Sequence, residues 1–143
     1  MNKNNGHRQK PADLLNSLGR AERLVESRMD AALETRGLSI AKLGVLRVLV
    51  QAGEPLPLGQ VAERLACVKS NVTQLIDRLE ADGLVRRVPD HDDRRSLRAA
   101  ITPEGQRRYE LGKQAEATVE RELLATWSPE EREQLVAMLQ RFV

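Results

Sequence analysis

The chain is expected to be mainly α-helical with one small β-hairpin, in the order α-α-α-α-β-β-α-α. Three observations lead there. Leu, Val, Ile and Ala recur at every third or fourth position over most of the sequence, the period of a helix with one buried face. Two short apolar runs flank a polar turn at residues 84–101 and read as a hairpin. The third is compositional: hydrophobic residues make up 41% of the 143, yet Tyr109, Trp127 and Phe142 are the only aromatics. A core limited to aliphatic side chains suits packed helices better than a β-sandwich.

Taken in order, residues 1–10 form a polar tail without the apolar segment of a signal peptide. A first helix runs from residue 11 to about 35, with Leu14, Leu18, Ala21, Val25, Met29 and Ala32 at helical spacing, and Gly37 ends it. Ser39 caps a second helix carrying Leu43, Leu46, Leu49 and Val50, which stops at Gly53. The Pro-rich stretch 54–57 is an extended connector, because each proline disfavours helix in the residue before it. Two close-set helices follow, at about 58–66 and 70–82, separated only by Cys67, Val68 and Lys69. In the second, Val72, Leu75, Ile76 and Leu79 share the inward face, and Gly83 closes it. Strands at 84–88 and 96–101 enclose the charged tip 89–95. Thr102-Pro103-Glu104 and Ser128-Pro129-Glu130-Glu131 then start two more helices, each with a cap, a proline in the first turn and early acidic charge. The first of these is expected to run about 24 residues, to 126 or 127.

Three close-set helices followed by a hairpin make a winged helix-turn-helix. In that layout the last helix of the three can enter a DNA major groove while the hairpin reaches backbone or minor groove. The residue types suit the task. The outward face of the helix shows Ser70, Asn71, Thr73, Gln74 and Arg78, with Lys69 at its start. Asn and Gln pair bidentately with adenine, hydroxyls reach bases or phosphates, and free N–H groups at a helix start favour phosphate. The hairpin tip offers Arg94 and Arg95, with Arg98 on the returning strand, and a long Arg there can enter a narrow minor groove. Asp93 would repel phosphate, so its expected work is to brace the turn and orient Arg95. Net charge does not carry this reading: it is only +2.

Four segments agree in order and spacing with the MarR family of bacterial regulators. They are the run 58–65; Ser70-Asn71-Val72-Thr73-Gln74-Leu75-Ile76-Asp77-Arg78-Leu79-Glu80 with Gly83-Leu84-Val85-Arg86-Arg87; Asp93-Arg94-Arg95; and Thr102-Pro103-Glu104-Gly105. The resemblance covers about residues 11–143. It implies a transcriptional regulator, often a ligand-responsive repressor, that binds a pseudo-palindromic operator as an obligate homodimer. It also places Ser70, Asn71, Thr73, Gln74 and Arg78 on the recognition helix and Asp93 and Arg95 in the wing motif. Cys67 stands where the family frequently has glycine; redox-sensing members usually carry their reactive Cys in the first helix, which has none here. Cys67 is read as a small buried residue under the turn.

The domain reading is a tail at 1–10, a dimerisation helix at 11–38, the winged DNA-binding domain at 39–101 and dimerisation helices at 102–143. Apolar positions Leu111, Ala115, Val119, Leu123, Trp127 and Phe142 exceed what a winged domain of this size can cover, so a second copy is the expected cover. The expected partners are double-stranded DNA, a second copy and a small-molecule effector, a phenol or other aromatic acid by resemblance. Arg20, Arg23, Arg28 and Arg47 are read as ion-pair partners rather than anion hooks. No cofactor is expected, and no catalytic or metal-ligand constellation: the histidines are His7 in the tail and His91 at the hairpin tip. One cysteine permits no internal disulfide, and no apolar run nears the ~20 residues of a membrane span. The expected setting is the bacterial cytoplasm, at the nucleoid.

Overall fold

A computed structural model describes residues 11–66 and 69–142. The expectations placed on residues 1–10, on Cys67 and on the side chains of Lys69 and Ser70 lie outside the described residues. The order is α1 (Pro11–Glu34), α2 (Ile40–Ala52), β1 (Leu56–Pro57), α3 (Leu58–Leu65), α4 (Lys69–Ala81), β2 (Val85–Pro89), β3 (Leu97–Ile101), α5 (Pro103–Leu123) and α6 (Pro129–Leu139), closed by a 3₁₀ turn at Gln140–Phe142.

The core is aliphatic and centred on α2. Leu43, Val45, Leu46, Val48 and Leu49 are buried on this helix, which packs on α1, α3, α4, α5 and β3. The caps follow the sequence reading. Ser39 Oγ accepts from Lys42 N–H at 3.2 Å, and Gly53 ends the helix at φ +68°, a left-handed conformation that costs glycine no Cβ clash. From α4, Val72, Ile76 and Leu79 are wholly buried, whereas Leu75 is only half-buried at the edge of the stripe.

The sheet is three-stranded and antiparallel, in the order β1-β3-β2. The connector before α3 is therefore more than a linker: Leu56 pairs with Ala99 and Pro57 with Arg98. A two-residue strand containing a proline is tolerable at this position because β1 is an edge, where a missing N–H disrupts no second ladder. Both hairpin strands begin one residue later than expected. Leu84 belongs to the close of α4 instead, its N–H bonding to Leu79 O at 2.9 Å.

The Thr-Pro-Glu-Gly start of α5 has a specific geometry. Thr102 caps the helix by accepting from Gly105 N–H, while its hydroxyl donates to Gly83 O and its N–H to Leu84 O. This draws α5 against the end of α4 so tightly that a Cβ on Gly105 would lie 2.0 Å from Leu84 O. Glu104 pairs with Arg107 and Arg108, and Arg108 also donates to Arg36 O at 2.7 Å, tying α5 to the end of α1.

Helix α5 is shorter than expected. It stops at Leu123; Leu124 O is taken by Trp127 N–H and by the Arg132 guanidinium, so the chain turns before Ser128 opens α6 with the expected capping box. The apolar stripe of α5 also divides. Ala115 and Val119 are buried in α5, which packs along α1, and Leu111 and Leu123 are half-buried, so these positions need no second copy. Trp127 and Phe142 remain exposed, alongside Leu14, Leu15, Val136, Met138 and Leu139, and α6 has no buried residue at all.

Gly105→Ala is expected to destabilise the chain by about 2–3 kcal/mol, because backbone must move to admit the methyl group. Gly59→Ala, with nothing within 4 Å of its Cβ position, is expected to cost nothing. Paired urea titrations check both.

Candidate nucleic-acid interface

Burying Val72, Ile76 and Leu79 decides what α4 shows to solvent. Asn71, Gln74 and Arg78 are exposed at spacings of three and four, which makes them a continuous stripe on the opposite side. Thr73 is half-buried on the flank. The sequence expectation for Asn71, Gln74 and Arg78 is thus met in placement. What the sequence did not suggest is the handling of the two acids on this helix. Asp77 and Glu80 are both bound by Arg87 from β2: its guanidinium reaches Asp77 Oδ1 and Glu80 Oε2, and its backbone N–H donates to Glu80 Oε1 at 3.0 Å. Hydrogen bonds from the Arg87 backbone and side chain hold the Glu80 carboxyl below its ordinary range. Successive side chains of β2 point to opposite faces, which leaves Arg86 exposed and turns Arg87 towards α4.

The hairpin tip is organised by aspartates. Asp90 N–H bonds to Ser96 O, and Asp90 Oδ1 accepts from Asp92 N–H at 3.0 Å. Asp93 Oδ1 accepts from Arg95 N–H at 2.9 Å, and Asp93 O accepts from Ser96 N–H. Asp93 therefore braces the turn as expected, but through the Arg95 backbone rather than its guanidinium. Arg94 and Arg95 project from this turn, exposed and, among the described residues, in no ion pair.

Arg98 behaves differently from its two neighbours. Its Nε and Nη2 donate to both oxygens of Asp90, at 2.8 and 3.2 Å, and Nη1 reaches Pro55 O at 3.4 Å. The guanidinium is committed to joining the two hairpin strands to the β1 connector, so the structure shows a clamp where the sequence suggested a DNA contact. The reason is register. Arg98 lies opposite Val88 and Pro57, one pair from the tip end of the ladder, within reach of Asp90 on one side and Pro55 on the other.

Arg47 is likewise committed, in a two-oxygen pair with Glu116 on α5 at 2.7 and 2.9 Å. Beside it, a groove of about 500 Å³ between α1, α2 and α5 has an apolar floor that includes Met29, Ile40 and Val119, and a rim of Glu22, Glu26, Glu116 and Glu120. Among the described residues, no group of three or more His, Cys, Asp or Glu is placed to hold a metal ion, and no helix is long and apolar enough to cross a membrane.

This arrangement has known counterparts. The family model for the MarR family matches residues 36–96, the span from the end of α1 to the wing. The HTH-type transcriptional regulator PecS of Dickeya dadantii (strain 3937) is 30% identical over 133 residues, covering 92% of this chain and 80% of that protein. The chain belongs to the MarR family. As a MarR-family protein it is a helix-turn-helix transcriptional regulator, and solved structures agree over nearly its whole length. A MarR-family transcriptional regulator from Rhodococcus sp. RHA1 superposes with a TM-score of 0.80 at 26% identity, over 94% of this chain and 95% of that one. CouR from Rhodococcus jostii RHA1, in a structure bound to p-coumaroyl-CoA, superposes with a TM-score of 0.77 at 27% identity, over 91% of each chain.

The wing of this MarR-family chain should respond to acid in a definite direction. The Arg98 guanidinium, and then the Asp92 N–H, hold the Asp90 carboxyl below its ordinary value. The clamp is then complete above about pH 4, the value of an unperturbed aspartate, and is lost as pH falls through the lower folded-state value. Protection of the Ser96 amide, measured against its intrinsic exchange rate at each pH, is expected to fall over that acidic range, and Asp90→Asn is expected to lower it already at neutral pH.

Proposed function

We propose that this MarR-family regulator is a repressor that binds a pseudo-palindromic operator as a homodimer, each copy placing α4 in a major groove and its wing against the adjoining minor groove. The single observation that carries the reading is the pairing of two surfaces. The exposed stripe Asn71, Gln74 and Arg78 offers base-reading chemistry, and the hairpin beside it presents Arg94 and Arg95 uncommitted. Thr73 borders the stripe, and Lys69 and Ser70 open the same helix, so these three complete the proposed contact set. Asp93 and Arg98 support the wing.

Dimerisation is supported by surface that the single chain leaves uncovered. Leu15 and Phe142 are each 72% exposed, and Leu14, Val136, Met138 and Leu139 lie around them at 43–55%. Apolar surface this continuous at both ends of a chain marks an association surface. Two-fold symmetry would set the two copies of α4 on half-sites one DNA turn apart. In this proposal residues 11–38 and 102–143 serve association and residues 39–101 serve DNA, and the site of action is the bacterial cytoplasm.

An effector is proposed for the groove between α1, α2 and α5, on the strength of the ligand-bound structure of CouR. Its rim narrows the expectation from sequence. Besides Glu116, which Arg47 pairs, the rim carries Glu22, Glu26 and Glu120; these three disfavour a carboxylate, so a neutral phenol fits better than an aromatic acid.

An operator can be obtained by selecting bound duplexes from a random-sequence pool. On that duplex, Arg95→Ala is expected to weaken binding while dimer and fold persist. Gln74→Ala is expected to relax preference at one base position per half-site, at a cost of about 1–3 kcal/mol. Affinity should fall steeply with added salt. Unchanged affinity in both variants would refute the assignment of these residues. For the dimer, Phe142→Glu with Leu15→Glu is expected to give a monomer in analytical ultracentrifugation, with operator affinity greatly reduced.

A further inference from the structure

We propose that Arg87 is a positioning residue for DNA binding, whose work is to mask two carboxylates beside the base-reading stripe. This rests on the reading of α4 as the DNA-facing helix and adds to it a residue that touches no DNA.

The geometry is specific. Asp77 follows Gln74 by one helical turn and adjoins Arg78, so it lies along the stripe that would face DNA; Glu80 continues the same flank. The Asp77 and Glu80 side chains are 59% and 40% exposed, whereas Arg87 is 19% exposed, inserted between the helix and β2. Left alone, two negative charges would sit close to the phosphates of a bound duplex, within the ~10 Å over which charges act at 0.1 M salt. The guanidinium in contact with both reduces the cluster from two negative charges to one. The bonding is also rigid. Glu80 accepts from the backbone N–H and the guanidinium of one residue, which fixes β2 relative to α4 at two points. A lysine could supply the charge but not the fork that reaches two carboxylates together.

Charge masking and mere structural support are separable by experiment. Three variants are compared with the parent on the selected operator and on an unrelated duplex, with folding followed by circular dichroism: Arg87→Gln; Asp77→Asn with Glu80→Gln; and all three substitutions together. Arg87→Gln is expected to lose about tenfold or more in affinity for both duplexes, the order of one unit charge acting at close range in a partly screened site. The triple variant is expected to recover most of that loss although it lacks every ion pair of the cluster. The variant that keeps Arg87 but neutralises both acids is expected to bind as tightly as the parent or more tightly, and it answers the question even if Arg87→Gln fails to fold. Equal affinity of Arg87→Gln and parent, or a triple variant as weak as Arg87→Gln, would overturn the masking role. So would weaker binding when the two acids alone are neutralised. If instead the parent shows no salt-dependent DNA affinity, the functional reading itself fails, a result distinct from all of these.

Discussion

The structure depends first on the one-sided burial of α4. Val72, Ile76 and Leu79 reach zero exposure against a core centred on α2, and a helix pinned along that line has no freedom to rotate. Each of these side chains contributes on the order of 1.5–3 kcal/mol by leaving water. A rotation that hid Gln74 would therefore expose several kcal/mol of apolar surface and bury an amide without partners. The polar stripe is thus held outward by the core and needs no bonds of its own. That is the useful condition for a reading surface, since groups already bonded within the protein would have to break those bonds to meet a base.

Arginine placement completes the same logic. The chain uses its arginines in two ways, and local geometry sorts them. Arg47, Arg87, Arg98 and Arg108 each join separate elements through carboxylates or carbonyl oxygens, and each is at least half-buried by its neighbours. Arg94 and Arg95 stand on a turn where two of the three carboxylates are otherwise engaged: Asp90 with Arg98 and the Asp92 N–H, Asp93 with the Arg95 N–H. A tip carrying three aspartates would be a poor anion-binding surface if those carboxylates were free. Spending two of them on backbone donors and a structural arginine leaves the tip's cations facing outward.

Much of this was legible in the sequence, and the exceptions share a cause. Helices announced by caps and by apolar period came out at their expected places, because Ser39, Gly53, Thr102 and Ser128 act within a few residues of themselves. The exposed stripe of α4 followed from Val72, Ile76 and Leu79 by simple helical geometry. What stayed hidden were pairings between distant segments. Strand β1 exists only because Leu56 meets Ala99, and nothing near Pro55 or Pro57 signals an edge strand. Arg98 looked like Arg94 and Arg95 until strand register placed it against Asp90 and Pro55. Arg87 was visible as a charge, but not as the partner of Asp77 and Glu80 across a turn of helix and a strand. The burial of Ala115 and Val119 was misassigned for the same reason, since their cover is α1 of the same chain.

The route from groove to wing runs along a rigid helix and through bonds rather than through loose loop. Helix α5 borders the groove at Glu116, Val119 and Glu120, and it begins where β3 ends. At that junction Thr102 binds the carbonyls of Gly83 and Leu84, while Gly105 leaves no slack beneath Leu84 O. Gly83 and Leu84 are themselves the joint between α4 and β2. A ligand wedged between α1 and α5 cannot displace the start of α5 alone: the close approach at Gly105 would carry the end of α4 and the root of the wing with it. In a symmetric dimer, where two copies of α4 must match one DNA pitch, a small shift at this joint is enough to break the match. In the proposed dimer, the tight Thr-Pro-Glu-Gly turn would give an effector in the proposed groove, away from the DNA-facing side chains, mechanical purchase on the spacing of the two α4 helices.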